Sequence, residues 1–215
     1  MDNLHFVHHF VPSNTGSSRV LLLLHGTGGD ETDLIPLGRE LDGAAALLSP
    51  RGKVSENGMP RFFRRFAEGV FDEEDVKFRA QELADFVTAA AAKYDFETSQ
   101  LTAVGYSNGA NIAAAMLLLR PEALRSAVLF RAMMPLSNAA TPDLTGQRIL
   151  LSAGDSDPII PTSNVRALAS LLQRGGADVQ PEVQRAGHAL VAADIAVARQ
   201  WLSAKNSNGE IARRS

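Results

Sequence analysis

Leu101-Thr102-Ala103-Val104 is an apolar, β-rich run, Gly105-Tyr106-Ser107-Asn108-Gly109 follows it directly, and Ala110-Asn111-Ile112-Ala113-Ala114-Ala115-Met116 continues with helical character. A strand, Gly-X-Ser-X-Gly and a helix in that order spell a nucleophile elbow, a tight turn that strains the serine backbone and projects its hydroxyl above a sheet. Both glycines matter, because side chains at those positions would strike the neighbouring strand or helix as the backbone reverses. The pentapeptide alone is weak evidence, since glycine and serine collect in loops. Its flanks make it specific.

Upstream of the elbow, residues 6–11 read as a first strand and 20–24 as a fully apolar strand of the kind buried on both faces. The glycine-rich loop His25-Gly26-Thr27-Gly28-Gly29-Asp30 then leads to a helix at 31–41 capped by Asp30. Residues 45–50 read as a short strand, 53–71 as a long loop, and 72–94 as a helix with an acidic first turn that suits the helix dipole rather than a metal. Further strands are expected at 127–130, 149–153 and 179–184, with helices at 163–174 and 190–205. This alternation predicts an α/β fold with a mostly parallel sheet covered by helices on both faces. Reactive groups in such sheets gather at the carboxyl ends of the strands.

A serine hydroxyl needs a general base, and the base needs an acid to fix its tautomer. The order expected with this elbow is serine, acid, histidine. Two acids, Asp155 and Asp157, follow the strand at 149–153. Asp157 is preferred because it lies further along the loop and precedes Pro158, whereas Asp155 suits a turn brace. His188, in Ala186-Gly187-His188-Ala189-Leu190, is the only histidine downstream of the elbow. Ser107, Asp157 and His188 are therefore the expected nucleophile, acid and base. The backbone N–H groups of Asn108 and Thr27 are the expected oxyanion donors. His25 reads as a structural residue of its loop.

Composition narrows the alternatives. With 215 residues and 45% hydrophobic content the chain suits one domain, with a frayed tail at 205–215. The net charge of −3 comes without a basic stripe, which argues against nucleic acid as a partner. The absence of cysteine excludes disulfides, thiolate metal sites and a cysteine nucleophile. The start, Met1-Asp2-Asn3-Leu4-His5-Phe6, has no basic region leading into a long apolar stretch, and no apolar run is long enough to span a bilayer. The expectation is a cytoplasmic protein with no membrane span.

Leu24-His25-Gly26-Thr27-Gly28-Gly29, the elbow, Gly154-Asp155-Ser156-Asp157-Pro158 and Gly187-His188 together resemble the small α/β-hydrolases of the phospholipase/carboxylesterase family, which includes the acyl-protein thioesterases. Arg51-Gly52, Met59-Pro60-Arg61-Phe62-Phe63-Arg64-Arg65 and the segment from Ser107 to Ala113 look most like a bacterial branch associated with hydroquinone and quinone resistance. The resemblance implies an α/β-hydrolase fold, the triad and oxyanion donors named above, and hydrolysis of carboxylic esters or thioesters without metal or cofactor. Asn108 stands where the acyl-protein thioesterases usually carry glutamine.

The connection at 137–143 is short and polar, so no large cap domain is expected. The aromatic loop at 53–71 is the candidate partial cover, with Phe62 and Phe63 as candidate substrate contacts or loop anchors, Arg131 as a contact for a substrate carboxylate or the partner of an Asp or Glu, and Met133 and Leu190 as pocket or packing residues. The resulting expectation is a serine carboxylesterase acting on small, short-acyl or aromatic esters. The alternatives are a thioesterase or lysophospholipase, and a ligand-binding protein that keeps the fold without catalysis. A homodimer through an apolar rim is a further expectation.

Overall fold

The five residues Val20–Leu24 are completely buried, because they form a strand near the middle of a sheet with helices on either side. The computed structural model describes residues 4–204. In chain order the elements are β1 (His8–Val11), β2 (Val20–Leu24), α1 (Ile35–Leu41), β3 (Ala46–Pro50), β4 (Val54–Glu56), β5 (Met59–Arg61), β6 (Arg65–Ala67), β7 (Val70–Phe71), α2 (Glu73–Tyr94), β8 (Leu101–Tyr106), α3 (Asn108–Leu119), β9 (Ser126–Phe130), β10 (Arg148–Gly154), α4 (Thr162–Arg174), β11 (Asp178–Gln184) and α5 (Ala192–Ser203). Seven strands form one sheet in the order β1-β3-β2-β8-β9-β10-β11. Neighbours run parallel throughout, except that β1 is antiparallel to β3.

Strand alternation divides the core into two layers. Leu21 and Leu23 pack with Leu34 and Leu41 beside α1 and with Ala198 and Trp201 of α5. Val20, Leu22 and Leu24 face the other way, towards Leu83 and Val87 of α2, Ile112 and Met116 of α3, and Leu168 and Leu172 of α4. Chain order places the next strand on one side of β2 for β3 and on the other for β8, so the direction of winding reverses there. The carboxyl ends of β2 and β8 flank that switch point, where open α/β sheets form their crevice.

Several boundaries depart from the sequence expectation. The helix expected at 31–41 begins at Ile35, with Pro36 in its first turn. Asp30 instead binds the Thr32 amide at 2.8 Å and its hydroxyl at 2.6 Å, closing a local turn. The helix expected at 190–205 begins at Ala192, and the tail at 205–215 lies outside the described residues.

The segment expected as a loop at 53–71 is two β-hairpins. β4 pairs antiparallel with β5, and β6 with β7. Asn57 and Gly58 turn the first with φ of 51° and 81°, the double left-handed conformation that tight hairpins require and that Asn-Gly adopts readily.

Glycine is required where α3 begins. A Cβ on Gly109 would overlap the Leu24 carbonyl, and one on Gly105 would stand 2.6 Å from the Gly109 carbonyl oxygen. Gly109→Ala is accordingly expected to lower the unfolding free energy by about 1–3 kcal/mol or more. Gly43→Ala, whose added Cβ meets only the Arg39 carbonyl oxygen at 3.6 Å, serves as the near-neutral control in the same urea titrations.

Candidate active site

Ser107 follows the last residue of β8 with φ 52° and ψ −113°, a conformation that costs a non-glycine residue on the order of 1–3 kcal/mol. The turn is held on both sides. The Ser107 N–H donates to the Phe130 carbonyl at 2.9 Å, and the Ser107 carbonyl accepts from the Asn111 N–H at 2.9 Å.

His188 Nε2 lies 2.8 Å from Ser107 Oγ, and its Nδ1 lies 2.8 Å from Asp157 Oδ2. The other Asp157 oxygen accepts from the amides of Ile159 at 2.9 Å and Ile160 at 3.2 Å. Its side chain is nearly buried, whereas Asp155 is exposed. The order of the chain leaves two acids open, and the fold brings Asp157 to the histidine.

The His188 loop is anchored through its backbone. Arg131 Nε donates to the Gly187 carbonyl at 3.0 Å and its Nη2 to the Ala189 carbonyl at 2.9 Å. Between them, the Tyr106 hydroxyl donates to the His188 carbonyl at 3.2 Å. Three successive carbonyls are thus tethered.

Arg131, a candidate substrate contact on sequence grounds, is instead buried and forms a two-pronged pair with Asp194 at 2.9 and 2.7 Å. Asp194 also accepts from Ser152 Oγ at 2.6 Å and the Val191 N–H at 2.9 Å. Burial pushes the Asp194 pKa up, but the hydrogen bonds from Arg131, Ser152 and Val191 outweigh it and hold the carboxyl below its ordinary value.

Asn108 and Thr27 contribute differently. The Asn108 N–H heads α3, where no intrahelical acceptor exists, and Thr27 sits at the exposed tip of the loop after β2. Among the described residues neither amide has a hydrogen-bond acceptor. The side chain of Asn108 is used structurally, since its Oδ1 accepts from the Phe62 N–H at 2.7 Å. His25 also acts as a brace. Its Nδ1 lies 2.7 Å from the Gly26 carbonyl and its Nε2 accepts from the Gly52 N–H at 2.9 Å. That pairing requires the neutral ring, and burial lowers the His25 pKa.

A cavity of about 250 Å³ opens beside Ser107 and His188, lined also by Thr27, Arg61, Arg65, Glu68, Gly69, Phe71, Tyr106, Asn108, Asn111, Met133, Ile159 and Ile160. Of the expected substrate contacts only Met133 is on that wall. Phe62 is buried against His25, with ring centroids 4.7 Å apart. Phe63 is buried against Phe71 at 5.0 Å. Leu190 packs on the opposite core layer with Tyr106 and Trp201. Phe62 and Phe63 lie between the two hairpins and turn inward, leaving Arg61, Arg65 and Phe71 of the hairpins to face the cavity. Among the described residues no group of three or more His, Asp and Glu could hold a metal ion, and no helix is long and apolar enough to cross a membrane.

Sheet order, elbow and loop positions define an α/β-hydrolase. The chain belongs to the phospholipase/carboxylesterase family, whose sequence profile matches residues 8–206. It is 45% identical over 185 residues to the putative hydrolase MhqD of Bacillus subtilis (strain 168), covering 86% of this chain and 92% of that protein. The crystal structure of the Bacillus cereus carboxylesterase superposes with a TM-score of 0.89 at 43% identity, over 94% of this chain and 98% of that one. A carboxylesterase from Mesorhizobium loti gives a TM-score of 0.90 at 34% identity, over 95% and 98% of the two chains. The protein is a hydrolase of the carboxylesterase family.

Two outcomes test the bracing. Arg131→Met leaves Asp194 buried without its partner and should lower the unfolding free energy by about 3–5 kcal/mol. Arg131→Met combined with Asp194→Leu should regain part of that stability in urea titrations, the remainder being lost because Ser152 Oγ and the Val191 N–H no longer have an acceptor. Ester turnover by both variants should be about a hundredfold below the wild type, because the 187 and 189 carbonyls are no longer held. For His25 the folded pKa lies below the unfolded one, so the unfolded chain binds more protons and stability falls as pH drops below about 6.5 through the folded value. Melting temperatures recorded across that window should fall more steeply for the wild type than for His25→Gln.

Proposed function

We propose that the protein is a serine carboxylesterase that hydrolyses small carboxylic esters through an acyl-enzyme on Ser107. The observation that carries this reading is the unbroken chain Ser107 Oγ, His188 Nε2, His188 Nδ1 and Asp157 Oδ2, with both contacts at 2.8 Å. Ser107 Oγ attacks the ester carbonyl carbon while its proton passes to His188 Nε2, and Asp157 stabilises the resulting imidazolium. The tetrahedral oxyanion takes hydrogen bonds from the N–H groups of Thr27 and Asn108.

Collapse of that intermediate breaks the bond to the alcohol oxygen, which leaves with the proton held on His188. Water then attacks the acyl carbon, with His188 accepting its proton and returning it to Ser107, and the carboxylic acid departs.

Cavity size supports a small substrate. About 250 Å³ lies below the ~300–1,000 Å³ range of sites for drug-sized ligands. Phe71, Met133, Ile159 and Ile160 provide an apolar wall for a short acyl chain or an aromatic ring.

The test is turnover of p-nitrophenyl esters of graded acyl length, with intact-mass measurement after treatment with a fluorophosphonate. The expected result is one adduct, mapped to Ser107, with preference for short chains. Turnover by Ser107→Ala should fall by at least about a thousandfold. A folded wild type that gives neither adduct nor turnover would overturn the reading.

A further inference from the structure

Two guanidinium groups, those of Arg61 and Arg65, line one side of the cavity, and both pair with Glu56, which lies outside the lining. Glu56, on β4, accepts from Arg65 Nε at 3.0 and 3.1 Å, and Arg61 Nη1 stands 3.2 Å from the same carboxylate. The hydrogen bond from Arg65 is the main cause that holds the Glu56 pKa below its ordinary value, so the carboxylate stays charged and compensates one arginine of the two.

The donors of these arginines can be counted. Arg61 is almost fully buried, and it spends Nε on the Phe63 carbonyl at 3.2 Å and Nη1 on Thr27 Oγ1 at 2.7 Å. It is a fixed part of the wall, tied to the loop that carries an expected oxyanion donor. Arg65 commits only Nε, so among the described residues both of its terminal nitrogens lack an acceptor. Its side chain is about one quarter exposed, at 24%, and faces the cavity that holds Ser107.

The surroundings favour an anion there. Phe71, Met133 and Ile160 share the wall, and a charge-assisted hydrogen bond is stronger beside apolar groups than in water. Glu68 is the glutamate that lines the cavity itself, but it is exposed on the turn between β6 and β7, where solvent screens it. Asp157 is turned away onto His188 and the two isoleucine amides.

We propose that the cavity selects small esters that carry a carboxylate, gripped by the terminal nitrogens of Arg65 with the Arg61 guanidinium behind it, while the ester carbonyl lies against Ser107. The inference rests on the acyl-enzyme reading above and adds the substrate class. Monoesters of short dicarboxylic acids place the charge on the acyl side, and aryl acetates with a ring carboxylate place it on the alcohol side.

Matched pairs test it. Monomethyl succinate is compared with methyl butyrate, and 4-acetoxybenzoate with 4-methylphenyl acetate, each rate normalised to that ester's own hydroxide hydrolysis. In at least one pair the charged ester should show kcat/KM about tenfold or more above its neutral partner, as one charge-assisted hydrogen bond permits. In Arg65→Gln that ratio should fall towards one, mainly through KM, and Arg65→Lys should restore part of it.

Equal handling of charged and neutral esters by the wild type, in both pairs, would overturn the inference while leaving the esterase reading standing. So would a loss in Arg65→Gln that is the same for charged and neutral members, which marks a purely structural arginine. A wild type that turns over no member of either pair and gives no fluorophosphonate adduct would overturn both readings together.

Discussion

The reactive end of the sheet is organised around the close approach of Gly109, in the first turn of α3, to the Leu24 carbonyl at the end of β2. No side chain fits between them, so helix and strand meet backbone to backbone. That contact sets how far the loop at 25–29 stands from Ser107, and it forces β8 to reverse within one residue. Ser107 absorbs the reversal as a positive φ. The strain is tolerable because hydrogen bonds on either side of the serine and a core packed on both faces over-determine the turn.

The histidine is positioned by other means. Its loop follows an edge strand, β11, whose residues are largely exposed, so apolar packing alone gives little hold. A buried ion pair supplies it. Arg131 leaves β9 with a φ of 55°, and its guanidinium serves Asp194 and the backbone around His188 together. Pairs of this kind add little net stability compared with apolar residues of the same shape. Here the pair fixes where the carbonyls on either side of His188 point, and with the Tyr106 hydroxyl on the His188 carbonyl it sets where the imidazole stands.

The fold was largely legible in the sequence because its strands are short apolar runs separated by helices, and the elbow pentapeptide locates the switch in winding. That Ser107, Asp157 and His188 come together was legible for a related reason: each follows a strand, and strand ends in a parallel sheet converge. What escaped was non-local. The pairing of Arg131 with Asp194 spans 63 positions and leaves no spacing signature, so an arginine at a strand end suits a substrate carboxylate or an ion pair equally, and no acid stands out as its partner. Phe62 and Phe63 were placed by composition, which cannot tell inward from outward. The Asn57-Gly58 hairpin was a missed signal, since that dipeptide is the commonest marker of a tight β-turn, but strands of three residues are too short for alternation to register beside it.

The two hairpins form a unit of their own. Backbone bonds stitch their segment to the scaffold, from the Gly28 N–H to the Pro60 carbonyl at 3.0 Å, from the Gly52 N–H to His25 at 2.9 Å and from the Phe62 N–H to Asn108 at 2.7 Å. Its cavity-facing side chains, Arg61, Arg65 and Phe71 among them, come from neither the elbow nor the loops that bear Asp157 and His188. Attachment rests mainly on backbone atoms of one contiguous stretch, and the cavity wall on its side chains. Side chains on such a stretch can change without disturbing the backbone bonds that dock it on the elbow and on the loop after β2.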